Sequence, residues 1–150
     1  MRHVPVAIIG GGPVGMVLAM NLATFDVPVL LVNIEQSSRW HPKGSTHNAR
    51  TMEHYRRLGI SGELRKLGLS SNHPTDVGYF TTLNGWELAR IPMPSDSEKM
   101  ARVKNAAATD QIPEPLFRCN QMYVERRLFE HIQTSPTVEA RYGWRCLEIE

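Results

Sequence analysis

Two short apolar runs open the chain, separated by a segment with a different rhythm. Val4 to Ile9 is apolar throughout, broken only by Pro5, and Val27 to Ile34 is interrupted only by Pro28 and Asn33. Runs of this length without alternation suit strands of a parallel sheet buried on both faces. Between them the pattern turns helical, from Pro13 to about Phe25. Pro13 fits the first helical turn, where a missing N–H costs nothing. Gly15, Ala19 and Ala23 recur every four residues and share one face, small enough to bring the helix close to the sheet. Strand, helix and strand in roughly thirty residues form a βαβ unit, with a right-handed crossover expected.

Residues 36 to 47 (QSSRWHPKGSTH) are polar and read as a loop. Asn48 caps a predicted helix that runs through Met52, Tyr55 and Leu58 and stops at Gly59. Ser61 is expected to cap a shorter helix, to Leu67, ending at Gly68. Asp76 to Thr82 and Trp86 to Ile91 flank Asn84-Gly85, a strong hairpin signal. Residues 92 to 115 contain four prolines and read as surface loop with a short helix from about Ser97 to Ala107. Gln121 to Gln133 is helical, with Met122, Val124, Leu128, Phe129 and Ile132 along its apolar side. Val138 to Glu150 reads as two short strands about Gly143, the chain ending within the second. The fold class expected is α/β, an incomplete Rossmann-like domain with a parallel sheet and an added hairpin.

Composition narrows this picture without redirecting it. The 150 residues suit one domain with a real core, and 41% hydrophobic with 21% charged residues is ordinary for a water-soluble protein. A net charge of +2, with scattered basic residues, offers no stripe for nucleic acid. No apolar run approaches the roughly 20 residues that span a bilayer. Arg2 and His3 lead straight into a strand-like run, so neither a signal peptide nor membrane association is expected. Cys119 and Cys146 lie far apart with no second pair, which reads as free thiols in a reducing cytoplasm.

The candidate chemistry lies in IIGGGPVG, residues 8 to 15. Gly10-x-Gly12-x-x-Gly15 follows a strand and opens a helix within the βαβ unit, the context in which a glycine loop holds a dinucleotide. Gly10 permits the tight turn, Gly12 lets backbone approach a pyrophosphate, and Gly15 allows close packing. Pro13 and Val14 complete the loop at a helix N-terminus, which supplies N–H groups and partial positive charge. Glu35, twenty residues after Gly15, is placed to accept hydrogen bonds from an adenosine ribose and disfavours a 2′-phosphate. These residues point to FAD or NAD over NADP and do not separate the first two.

HPKGSTHNARTMEHYRRLGI (41 to 60), GWELARIPMP (85 to 94) and RCNQMYVERRLFEHI (118 to 132) add a resemblance. They are similar, in the same order, to segments of the FAD-dependent aromatic-ring hydroxylases, single-component flavoprotein monooxygenases, and most to the phenol-hydroxylase-like branch. The resemblance implies a tightly bound FAD, contacted by Arg50 of the NAR segment, Lys43 near the phosphates, and Gln121 at a helix start. From the residues alone, Lys43 also reads as a solvated loop charge, Arg50 as the partner of Glu53 one turn on, and Gln121 as a helix-end residue. Arg126-Arg127 departs from the family, whose members more often carry an apolar or proline-containing stretch there. By resemblance, NADPH or NADH reduces the flavin transiently, and one atom of O2 enters a small aromatic substrate, usually a phenol.

Relatives of this kind run to several hundred residues and carry later Asp-Gly and Gly-Asp-Ala motifs, neither of which occurs in these 150. The chain therefore reads as the N-terminal part of an FAD-binding domain, inactive alone. A NAD-dependent dehydrogenase domain and a non-catalytic nucleotide-binding fragment are the other readings. His41, His47 and His54 are spaced by six and seven, unlike metal ligands on one helix face. His41 and His47 read as loop residues and His54 as lying on the outer side of its helix. No residue stands out as a catalytic base.

Overall fold

The computed structural model describes residues 3–41, 43–106 and 112–149. In chain order the elements are β1 (Val6–Ile9), α1 (Pro13–Ala23), β2 (Val29–Asn33), β3 (Thr46–His47), α2 (Ala49–Arg57) and α3 (Ser61–Arg65). They continue with β4 (Val77–Phe80), β5 (Glu87–Ile91), α4 (Asp96–Asn105), β6 (Phe117–Arg118), α5 (Gln121–Thr134) and β7 (Val138–Tyr142). β1 and β2 each begin on the residue after a proline, because Pro5 and Pro28 have no N–H to give a ladder.

The main sheet is parallel, in the order β1-β2-β7. Its register sets Leu31 between Ile8 and Ala140, and Val29 between Val6 and Val138. α1 and α5 cover this face, bringing Met16 and Ala19 together with Val124, Leu128 and Ile132 in one buried core. Each fully buried leucine-sized side chain contributes about 1.5–3 kcal/mol. Met52 and Tyr55 of α2, Leu64 of α3 and Phe117 of β6 extend the core sideways.

The expectation of strands buried on both faces is not met. The opposite face carries Ala7 and Ile9, exposed (Ile9 at 52%), half-buried Leu30 and Val32, and the charged pair Glu139 and Arg141. Only the first of the two strands expected from Val138 onward forms. Gly143 takes a positive φ of 76°, its N–H bonds to the Glu35 carbonyl, and the Trp144 N–H bonds to that of Asn33. The chain thus leaves the sheet across the end of β2, and 144–149 form no strand; Glu150 lies outside the described residues.

Elsewhere the differences are local. Asn48 caps α2 as expected, accepting from the Thr51 N–H at 2.8 Å, and Gly59 ends it with φ +76°. Ser61 does not cap α3: Ile60 occupies that position, the helix stops at Arg65, and the Ser61 hydroxyl donates to Glu114 instead. The loop from 36 to 47 contains β3, antiparallel to β6, a two-residue pairing too short to show as periodicity. The hairpin forms between β4 and β5 with a bulge at Tyr79/Phe80, so its strands are shorter than expected. α4 begins at Asp96; the expected end at Ala107 lies outside the described residues.

Candidate functional site

From Ile9 the chain reverses into α1 over three consecutive glycines. Gly10 has φ +116°, a conformation natural only to glycine, and its N–H donates to the Val32 carbonyl at 2.8 Å. Gly15 is fixed by packing, since a Cβ there would overlap the Gly10 carbonyl oxygen. Gly11, which the sequence motif leaves free, is as tightly constrained: a Cβ would come within 2.5 Å of the Tyr142 hydroxyl and 2.8 Å of Asn33 Cβ. Its N–H donates to Asn33 Oδ1 at 3.1 Å, and its carbonyl accepts from the Tyr142 hydroxyl at 2.8 Å. Burial pushes the Tyr142 phenol up to about 12, so the hydroxyl stays a donor through neutral pH. The Phe129 ring meets that of Tyr142 edge-on at 4.6 Å.

This clamp from the ends of β2 and β7 uses both polar groups of Gly11 and leaves Gly12 facing outward. A Cβ on Gly12 would meet nothing within 4 Å. Gly12 is also the N-cap of α1 and has no side chain to close it. Pro13 carries no N–H, and the amides of Val14 and Gly15 have no capping side chain; Val14 itself is 83% exposed. The positive end of an eleven-residue helix is therefore open. It faces a cavity of about 230 Å³ whose walls include Gly12, Pro13, Asn33, Arg39, Gln121 and Glu125.

Glu35 lies two residues past β2, its backbone held by the Gly143 N–H. With Arg39, Trp40 and Lys43 it lines a second cavity of about 470 Å³. Its carboxylate, 51% exposed, is 3.7 Å from the Arg39 guanidinium. Arg39 and Ser37 line both cavities. Arg39 was not singled out in the sequence, where it is one basic residue in a polar loop.

Gln121, the first residue of α5, borders the smaller cavity and also an apolar groove of about 570 Å³ between α1 and α2. Its N–H donates to the Gly44 carbonyl at 2.8 Å, while Asn120 caps the helix by accepting from Met122. Arg50 lies outside all three cavities. Its side chain is 79% exposed and donates to Glu53 at 2.8 Å, the local pairing its spacing allowed. The loop and helix placements expected for two histidines change. His47 is buried in β3, its Nε2 3.2 Å from the Cys119 carbonyl, and burial lowers its pKa. His54 is half-buried on the wall of the apolar groove rather than on the outer side of α2. Burial pushes the Cys119 thiol up to about 11, which makes it unreactive at neutral pH.

An open helix N-terminus behind three glycines, with a carboxylate just past the end of the next strand, is the arrangement that dinucleotide-binding βαβ units use for a pyrophosphate and ribose. The family pattern described as "FAD binding domain" matches residues 3–150. The chain belongs to the FAD-binding-domain family. Among its relatives, the FAD-dependent monooxygenase apdD of Emericella nidulans is 33% identical over 142 residues, 93% of this chain and 23% of that protein. The 6-hydroxy-3-succinoylpyridine 3-monooxygenase HspB of Pseudomonas putida is 27% identical over 97% of this chain and 33% of its own length. The structure of the rebeccamycin biosynthetic enzyme RebC with reduced flavin superposes with a TM-score of 0.80, at 32% identity over 98% of this chain and 26% of that one. The chain thus spans between about a quarter and a third of these relatives, of which apdD and HspB are monooxygenases and RebC is a biosynthetic enzyme that holds a flavin.

Proposed function

We propose that this chain is the N-terminal part of the FAD-binding domain of a monooxygenase that hydroxylates a phenolic or related aromatic compound. NADPH or NADH serves as transient reductant and O2 as co-substrate. The observation that carries the reading is the open N-terminus of α1, which faces a cavity that shares Ser37 and Arg39 as wall residues with the one lined by Glu35. The name of the HspB relative, which acts on a hydroxylated pyridine, supports the substrate class.

The residues fit FAD. The space where a Gly12 Cβ would stand is empty, and the helix end beside it has N–H donors but no side-chain cap. In this reading the Gly12, Val14 and Gly15 amides face the pyrophosphate, and Arg39 and Lys43 offset its charge. Glu35 accepts from the adenosine ribose, exchanging its loose contact with Arg39 for hydroxyl donors. Pro13 and Val14 give the outer wall, and Gln121, which lines both the small cavity and the apolar groove, meets the cofactor beyond the pyrophosphate. Arg50 joins the site by releasing Glu53, an exposed pairing whose loss costs at most about 1 kcal/mol. Bound FAD supplies the electron transfer and oxygen activation. The protein residues bind it, orient it and keep its charged middle against donors.

Two further readings accompany this one. The protein is cytoplasmic, in keeping with the unpaired Cys119 and Cys146 thiols. Among the described residues no helix is long and apolar enough to cross a membrane. The 150 residues alone do not turn over substrate, and substrate-dependent NADPH oxidation by the isolated chain with added FAD would refute that. The function itself is tested by the visible spectrum of the protein titrated with FAD. Perturbed flavin bands with saturable binding are expected; nicotinamide binding without flavin would point to a dehydrogenase domain.

A further inference from the structure

α5 carries one residue that its packing does not explain. Gln121, Glu125, Leu128 and Ile132 follow one another on one helix face, and toward the core Leu128 and Ile132 hold the apolar side chains such a face requires. Glu125 does not: it is a carboxylate only 3% exposed, in the core-facing stripe, where burial of a charge is costly without partners. Its Oε1 accepts from Gln121 Nε2 at 2.6 Å. Its other charged or titratable neighbours are the Tyr55 and Tyr142 phenols, which it helps to keep protonated. It also forms part of the wall of the cavity in front of Gly12, a place where a negative charge opposes an anion.

We infer that Glu125 is a positioning residue that locks the Gln121 side chain in one orientation for the cofactor. Because the Glu125 Oε1 accepts from Nε2, the NH2 end of the Gln121 amide is the end that faces the carboxyl group. The amide oxygen is thereby turned the other way, toward Gly44, where a Cβ would lie 3.4 Å from it. Gln121 then presents an acceptor at the corner where the phosphate cavity meets the apolar groove. An acceptor matches a hydroxyl or N–H of the ligand, not a phosphate oxygen. FAD offers such donors beyond its pyrophosphate, in the hydroxylated chain and the ring; ADP ends before them. A carboxyl group held in the core thus secures which end of a neutral amide the ligand meets, while Arg39 and the α1 amides serve the phosphate.

This rests on the FAD reading above, and the test separates the two. FAD dissociation constants are measured by flavin fluorescence for wild type, Glu125→Gln, Gln121→Leu and the double variant, with ADP affinity measured by calorimetry for each. Glu125→Gln, which lets the Gln121 amide turn over, should weaken FAD binding about tenfold, cause no loss of ADP binding, and add no loss to Gln121→Leu. Should Glu125→Gln fail to fold, Glu125→Met, apolar and of similar length, carries the same comparison. An equal loss of FAD and ADP affinity, an equal loss in both backgrounds, or no loss at all would overturn the positioning role. Failure of wild type to bind FAD would overturn the reading beneath it.

Discussion

The N-termini of α1 and α4 face the same problem with opposite outcomes. α4 is closed by its own sequence: Ser95 Oγ accepts from the Glu98 N–H, and Glu98 Oε2 accepts from the Ser95 N–H at 2.7 Å, a complete capping box. α2 and α5 are closed by Asn48 and Asn120. α1 starts at Gly12 and Pro13, with no side chain that can cap it and no acidic residue in its first turn. The chain closes α2, α4 and α5 by side chain and leaves without such a cap both the five-residue α3 and the end of α1 that points into a cavity with Arg39 and Gln121. The contrast separates a helix start built for stability from one built for a ligand, although both obey the same rules.

The comparison breaks most severely at Gly15. Gly15→Ala drives a methyl into the Gly10 carbonyl, backbone held in turn by Val32, and should cost about 3 kcal/mol of stability together with FAD binding. Chemical denaturation measures the first and flavin titration the second. Gly12→Asp is more informative though smaller. The position has extended backbone and free space, so the new carboxylate caps α1 and stabilises the apo protein by a few tenths of a kcal/mol (about 0.3). The same carboxylate should weaken FAD binding by about 2 kcal/mol, because it occupies the donors and repels phosphate. Stability and affinity then move in opposite directions, which calorimetry and titration on one sample can show.

Ser95→Ala is the counterpart on α4: about 1 kcal/mol of stability lost, FAD affinity unchanged. The smallest effect concerns pH. Burial lowers the pKa of His47 below 6.5, so the unfolded chain takes up a proton before the folded one does. The stability this contributes is full above pH 6.5 and is lost as pH falls through the lowered folded value. His47→Gln should flatten the fall in thermal midpoint between neutral and mildly acidic buffer; an unchanged slope would place the acid sensitivity elsewhere.

What could be read from the sequence was local. β1, β2, α1 and the Asn48 cap all follow from residues near one another, and each is present. Pro5 and Pro28 even mark where the ladders begin. The missing parts depend on residues that meet only after folding. The constraint on Gly11 comes from Asn33 and Tyr142, 22 and 131 positions away, and no glycine motif contains them. β3 finds β6 across 70 to 72 residues, with Thr46 opposite Arg118 and His47 opposite Phe117. Glu125 did leave a trace, a charged residue in the Gln121–Leu128–Ile132 stripe, which signals either an error of phase or a buried polar role. Arg39 left none, because a basic residue in a polar loop looks the same whether it faces solvent or a cavity.

The central claim is that α1 reserves its N-terminal amides for the pyrophosphate of FAD while α4 keeps its own closed. Titrating FAD into nitrogen-15-labelled protein and following the backbone amide resonances tests it directly. The largest shifts are expected at Gly12, Val14 and Gly15, with the Ser95 and Glu98 amides unmoved. Saturable FAD binding that left Val14 and Gly15 as unmoved as Glu98 would contradict it.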